Sequence, residues 1–295
     1  MILFVVFAFV LGACIGSFLN VLIIRLPKDE SIWRRMSHCT ACDTPIAPYD
    51  NIPIVSYLML RGRCRACGTR FSMQYFWVEL ITGVLVAASF YYRFDHVVDV
   101  LMRGAVPTWE QLRSAVFPWL ADVSLLSLLL AMTWIDARHF IIPLEITVSG
   151  TVIGLALTLI YPPLRQQTPV FGFYGEPSTA IGALTQAGAA IGIGGGLFII
   201  VRWVASLYFK REALGLGDVH LMIMLGAYLN WPEQLLTVFL SALVGSVGGV
   251  TAKYLQRRTH WRFEIPYGPY IAAGAVIAWF WGARLVDWYL FWCAS

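Results

Sequence analysis

Charge is what this chain has least of. Asp, Glu, Lys and Arg make up 13% of its 295 residues, against about 25% in a soluble domain, and 59% are hydrophobic. With a mean hydropathy of +0.69, that scarcity excludes an ordinary soluble domain and leaves an integral membrane protein with many spans. Cysteine is also sparse, and four of the six fall in two Cys-x-x-Cys pairs, which argues against a secreted disulfide framework. The first apolar run lacks a positive leading segment and a small-residue cleavage site, so it reads as a retained span rather than a secretory signal. No glycine-rich nucleotide loop is present. No internal repeat relates the two halves of the chain, which weighs against a transporter built from inverted repeats.

What is present is a succession of apolar runs separated by short polar stretches. Residues 1–24 form the first expected span, closed by Arg25-Leu26-Pro27, with Gly12 and Gly16 in small-x-x-x-small spacing for close helix approach. Asn20 inside it reads as a hydrogen-bonding partner for a neighbouring helix. Residues 25–75 follow as the one substantial soluble piece, with eight Lys or Arg against four Asp or Glu. That excess of positive charge marks it as cytoplasmic. Further spans are expected over residues 76–92, 118–135, 144–161, 179–209, 219–231, 235–254 and 268–287, with outside loops at 93–117, where there is room for an amphipathic helix on the membrane surface, and at 161–178. The run 219–231 is too short to cross fully unless the glycine segment before it dips into the membrane. In the fifth span Gly188, Gly192 and Gly196 recur every four residues along one face.

Two constellations carry chemistry. Cys39 and Cys42, separated by 21 residues from Cys64 and Cys67, have the spacing of a four-thiolate zinc site. Four protein thiolates leave no open position on the ion, so its role is structural, and a segment this small needs such a staple. The second is a pair of carboxylates, Asp136 and Asp218, each at the expected cytoplasmic end of an apolar run. Two carboxylates that meet share one proton over a wide pH range, the state in which one activates water while the other donates to a peptide carbonyl. Gly215 and Gly217 precede Asp218 and let a substrate backbone approach; a helix N-terminus there favours the charged carboxylate. Glu79 lies within the second span and is a supporting candidate, although a helix-to-helix hydrogen bond explains it equally well. His139 and His220 sit near the aspartates but read as hydrogen-bonding partners rather than metal ligands. Asp122 and Asp287 also touch apolar runs, so the pairing is not unique on sequence grounds.

Several stretches together resemble the bacterial type IV prepilin leader peptidases, membrane enzymes that also methylate the product they release. Gly12-Ala13-Cys14-Ile15-Gly16-Ser17-Phe18-Leu19-Asn20-Val21 with Arg25-Leu26-Pro27 is similar to the family's amino-terminal signature, and the paired cysteines to its cytoplasmic zinc insertion. Val78-Glu79-Leu80-Ile81-Thr82-Gly83 resembles the motif opening its second span. Asp136 with Ile142-Pro143 resembles its first aspartate motif, Gly215-Leu216-Gly217-Asp218 its Gly-x-Gly-Asp motif, and Gly268-Pro269 its last-span signature. Two places depart: Leu144-Glu145 stands where Asp commonly follows the proline, and Gln74-Tyr75-Phe76 where Arg-Tyr-Pro is common.

The resemblance implies an all-α integral membrane protein of about eight transmembrane helices, with a small cytoplasmic zinc-binding insertion between the first two. Residues 76–295 would then form a protease core of about seven helices. Asp136 and Asp218 would be catalytic, acting on a prepilin or pseudopilin with a short basic leader at the cytoplasmic face of the bacterial inner membrane. The new amino terminus would be N-methylated with S-adenosylmethionine, a donor assigned on resemblance alone. Membrane lipid surrounds the spans, and no nucleic-acid partner is expected. The alternatives are a different Gly-x-Gly-Asp intramembrane protease and a proton- or cation-coupled transporter using Asp136, Asp218 and Glu79.

Overall fold

The structure, a computed structural model, describes residues 2–32, 37–39, 41–165, 179–210, 214–255 and 266–294. Among these residues there are nine α-helices and no strand beyond two isolated bridges. Eight helices have eleven residues or more: α1 (Ile2–Arg25), α3 (Gln74–Met102), α4 (Trp109–His139), α5 (Leu144–Ile160), α6 (Ala180–Phe209), α7 (Leu216–Gly226), α8 (Trp231–Leu255) and α9 (Gly268–Ala294). The ninth, α2 (Val55–Met59), is one turn inside the cysteine segment. Five helices, α1, α3, α4, α6 and α8, contain stretches long and apolar enough to cross a membrane. This agrees with the expected class: an all-helical membrane protein with a four-cysteine insertion between its first long helices.

The chain divides into two compact units, residues 1–131 and 132–295. In the first, α1 packs along α3 at backbone distance. A Cβ on Gly12 would lie 2.8 Å from the Thr82 carbonyl oxygen, and one on Gly16 would lie 2.7 Å from Glu79 Cα. The small residues therefore do what their spacing predicts. Asn20 Nδ2 donates to the Tyr75 carbonyl at 3.2 Å across the same seam.

Two expected boundaries differ. The second span does not stop at residue 92, and most of the stretch 93–117 continues two long helices instead of forming a loop with a separate surface helix. Helix α3 runs on to Met102, and α4 begins at Trp109 and continues through Pro118. The charges that lower the local hydropathy are absorbed pairwise. Arg93 grips Asp122 with two contacts of 2.8 Å, and Asp122 is fully buried. That ion pair accounts for an acid which, on sequence alone, competed with the catalytic candidates. Phe90 and Phe94 stack on one another and both meet Trp119 edge-on.

In the second unit, α7 is the central short helix, packed by α5 and α6. Gly154 of α5 lies against the Ala227 backbone, and Gly226 against the backbone of Ile191 in α6, where no side chain would fit. The stripe Gly188, Gly192, Gly196 has nothing described within 4 Å; the close contacts of α6 are made instead by Gly194 to Gln234 and Gly195 to Ile223. α8 begins at Trp231 rather than at residue 235, its first turn held by Glu233, whose carboxylate reaches back to accept the Asn230 N–H at 2.8 Å.

Candidate active site and metal centre

In the second unit, α4 ends at His139 and Phe140 turns left-handed, φ 56, so that Ile141–Pro143 leaves the helix extended. This sharp stop puts Asp136 in the last turn of the helix. Pro143 then serves as the N-cap of α5. Asp218 lies in the first turn of α7, three residues past the N-cap Gly215. From there its carboxylate turns back to the Gly215 N–H, the reciprocal arm of a capping box. Both carboxylates are buried, with exposures of 5% and 8%, and the charge of Asp136 acts on Asp218. The structure therefore brings together the two acids singled out from sequence, 82 positions apart in the chain.

A third group joins them that the sequence reading did not single out as a donor. The Gly268 N–H donates to Asp136 Oδ2 at 2.8 Å. A Cβ at residue 268 would lie 2.7 Å from that oxygen, so a glycine is the residue that allows the backbone so near. Tyr267 lies beside it, its hydroxyl 3.1 Å from Ser241 Oγ, and it is within electrostatic reach of Asp218. The signal in the sequence was Gly268-Pro269, read as the start of the last span and as the family's signature there, not as a donor to Asp136.

The two glycines before Asp218 do different things. Gly217 lets Ile142 approach, since a Cβ there would lie 2.8 Å from Ile142 Cβ. Gly217 thereby seats the turn after Asp136 against the start of α7. Gly215 has an ordinary φ of −68° and faces open space apart from the Asp218 carboxylate. Among the described residues, no metal-holding cluster forms around the aspartates, and neither His139 nor His220 joins one.

The metal centre belongs to the first unit. The Sγ atoms of Cys39, Cys42, Cys64 and Cys67 all lie within 4.8 Å of one another. Cys39 and Cys67 are 3.8 Å apart, and Cys42 and Cys64 4.0 Å. A tetrahedral ion with thiolate bonds of about 2.3 Å sets its sulfurs about 3.8 Å apart, so the donor set fits a metal ion. Two matching knuckles build it. In one, Cys39 N–H donates to Thr44 O and Asp43 N–H to Cys39 O; in the other, Cys64 N–H donates to Thr69 O and Gly68 N–H to Cys64 O. Asp43 and Gly68 take the left-handed conformation at equivalent places. Each knuckle sets a threonine hydroxyl beside a sulfur, Thr44 3.2 Å from Cys42 and Thr69 3.3 Å from Cys67. Hydrogen bonds from Thr69 hold the Cys67 thiol down to about 6, readying it for metal binding. The repeated Cys-x-x-Cys-x-Thr pattern was the sequence signal for both threonines. Arg65 clamps Asp50 at 2.6 and 2.8 Å, and this pairing holds the Asp50 carboxyl below the usual carboxylate range.

Glu79 also lies in the first unit, not with the aspartates. Its carboxylate accepts the Ile54 N–H at 2.7 Å, tying α3 to the cysteine segment, and also hydrogen-bonds to Ser17 of the long helix α1.

Known proteins match this chain along most of its length. The profile described as the bacterial peptidase A24 N-terminal domain matches residues 10–93, and that of the type IV leader peptidase family matches residues 123–250. A protein of Myxococcus xanthus named prepilin leader peptidase/N-methyltransferase is 38% identical over 248 residues, covering 84% of this chain and 63% of its own length. Proteins of the same name from Aeromonas hydrophila and Pseudomonas aeruginosa are 32% and 31% identical, each over at least 96% of this chain and 92% of their own length. No solved structure matches.

Proposed function

The chain belongs to the type IV leader peptidase family, and from that premise we propose that it removes the short basic leader of a type IV prepilin or pseudopilin and N-methylates the new amino terminus. The observation that carries the cleavage half is the meeting of Asp136 and Asp218, with the Gly268 N–H on one of them. The pair holds one proton between two carboxylates and titrates as a unit.

In the proposed reaction the ionised carboxylate takes a proton from a water molecule. The water oxygen bonds to the scissile carbonyl carbon while the protonated carboxyl gives its proton to the carbonyl oxygen. As the tetrahedral diol collapses and the C–N bond breaks, the carboxyl that took the water's proton gives it to the leaving nitrogen. A diol hydroxyl returns its proton to the other carboxylate as the C=O bond re-forms. The dyad thus returns to its starting state. The Gly268 N–H takes up one lone pair of Asp136 Oδ2 and fixes that carboxyl's orientation, so the reacting pair is set before substrate arrives. The apolar helix that follows a pilin leader keeps the substrate in the membrane while its cut site reaches the cytoplasmic interface.

For the second half, S-adenosylmethionine supplies a methyl group from its sulfonium: the new amine nitrogen attacks the methyl carbon, the C–S electron pair stays on sulfur, and the nitrogen sheds a proton. The metal of the cysteine centre is proposed to be zinc in a structural role, since all four positions are filled by protein thiolates. The transport alternative has nothing in its favour beyond the carboxylates themselves.

The test is incubation of purified full-length protein with a prepilin, followed by mass spectrometry of the product. Asp136→Asn and Asp218→Asn are each expected to lower cleavage by more than about 1,000-fold, the scale on which removing an essential acid or base acts. The variants should retain wild-type insertion and zinc content. Substantial cleavage by either variant overturns the dyad.

A further inference from the structure

The short helix α2 presents an apolar face to the outside of the cysteine segment. Val55, Leu58 and Met59 share that face, at i, i+3 and i+4, with Ile52 just ahead of it. All four are between 48% and 76% exposed. The opposite face turns inward: Ser56 is buried and its hydroxyl donates to Tyr49 O and accepts the Ile52 N–H, both at 3.0 Å. A contiguous apolar patch outside the long helices marks a surface that meets another protein or a membrane.

Depth points to the membrane. α2 lies against the opening turns of α3, a helix long and apolar enough to cross a bilayer. The Tyr57 ring stands 5.8 Å from that of Phe76, and the N–H of Ile54, the α2 N-cap, is held by Glu79 at 2.7 Å. Phe76 and Glu79 are the third and sixth residues of α3, so both ties fall within about 8 Å of its start. Helices that lie on a membrane bury their apolar face about 5–10 Å into the boundary between headgroups and acyl chains. Trp77, next to Phe76 and exposed, suits the same level, where tryptophan collects. Ile54 takes φ 63 to make its tie, a conformation that a β-branched residue avoids, so the tilt of α2 is imposed by the contact with α3.

Charge says which lipid. Residues 51–78 contain Arg61, Arg63, Arg65 and Arg70 and no Asp or Glu. Arg65 is taken up by Asp50. The Phe71 N–H donates to Gly62 O at 2.7 Å and Arg63 bridges to Arg70, which brings Arg70 back beside the turn that follows α2. Arg61, Arg63 and Arg70, all exposed, therefore gather just past the end of the apolar face. A basic leader, such as that of the proposed substrate, carries the same sign and is repelled there. An anionic headgroup is attracted.

We propose that α2 is a membrane-surface anchor for anionic phospholipid. Val55, Leu58 and Met59 enter the leaflet at which α3 begins, and Arg61 and Arg70 hold lipid phosphates beside them. The cysteine segment is then fixed to the membrane along its middle as well as at its two ends.

The test uses full-length, zinc-loaded protein with p-benzoylphenylalanine in place of Leu58 and, in a second preparation, of Met59. Each is placed in nanodiscs of phosphatidylcholine with a minor share of phosphatidylglycerol, irradiated, and its adducts identified by mass spectrometry. Adducts to lipid are expected at both positions. Phosphatidylglycerol is expected among them at about five times its share of the bilayer, the factor for one arginine near an anionic surface. Arg61→Gln with Arg70→Gln is expected to return it to its bulk share while zinc content stays at one ion per chain. If that double variant loses its zinc, raised salt on the arginine-containing protein is the second measurement, since screening has to abolish the same enrichment. Adducts only to protein, whether a second copy or an added prepilin, overturn the anchor, and so does the absence of lipid adducts at both positions. Lipid adducts with phosphatidylglycerol at its bulk share overturn the anionic site.

Discussion

The residue that most constrains the aspartate pair has no side chain. Gly268 gives Asp136 a backbone N–H at 2.8 Å, and a Cβ would stand 2.7 Å from the same oxygen. Gly268→Ala therefore has to push Asp136 away or lose the hydrogen bond. A displacement of about 1 Å at reacting groups costs on the order of 100-fold in rate. We expect Gly268→Ala to lower kcat for prepilin cleavage by about that factor, with zinc content and thermal midpoint unchanged. Cleavage within threefold of wild type would show that the contact has no catalytic weight. The two aspartates were legible in the sequence because an acid beside an apolar run is costly and rare. Gly268 was not, since a backbone donor leaves no mark on residue type and its sole trace was a glycine ahead of a proline.

At the scale of elements, α7 decides where Asp218 sits. Its eleven residues rise only about 16 Å, roughly half of a 30 Å hydrocarbon core. It ends inside the protein, where its last carbonyls need donors. Arg165, 3% exposed, supplies them: Nη1 donates to Leu229 O at 2.6 Å, and Nη2 reaches Gly226 O at 3.2 Å and Ala227 O. Glu233 at the start of α8 answers its charge. The helix carrying Asp218 at one end is thus anchored by a buried guanidinium at the other. Arg165→Met is expected to cost about 3–5 kcal/mol, the scale for breaking a buried charge pair on one side. Arg165→Lys should recover only part, because an ammonium lacks the planar fork. The readouts are the thermal midpoint in detergent and the split of kcat from KM. Loss confined to kcat in the lysine variant marks a shift of Asp218, whereas a midpoint unchanged in the methionine variant would remove the anchor. The shortness of α7 was legible, but its anchor was not, because Arg165 stood in what read as an outside loop. The continuation of α3 was missed for a related reason. Charges at 93–103 mask hydropathy, although Phe94, Val97, Val98 and Leu101 keep the helical period.

At the scale of the whole molecule, the eight long helices followed from apolar runs and the cysteine centre from spacing, because burial in lipid and tetrahedral thiolate geometry both write directly into residue type. Sidedness is written more faintly, in where Lys and Arg fall. Residues 25–75 carry eight of them, and the stretch 253–262 carries four more, while the segment 104–108 carries none. From the positive-inside bias we predict that residues 25–75, the end of α4 with Asp136, the start of α7 with Asp218, and the stretch 253–262 face the cytoplasm. That arrangement matters to the chemistry, because a basic leader is held back by the same bias and can meet the dyad only on that side. Alkaline phosphatase inserted into the full chain after Gly104 or after Pro162 is expected to be active. Inserted after Gly62 or after Phe140 it is expected to be inactive, with green fluorescent protein giving the reverse pattern. Phosphatase activity at Phe140 would place Asp136 across the membrane from every basic leader, and the proposed peptidase reaction would have no substrate within reach.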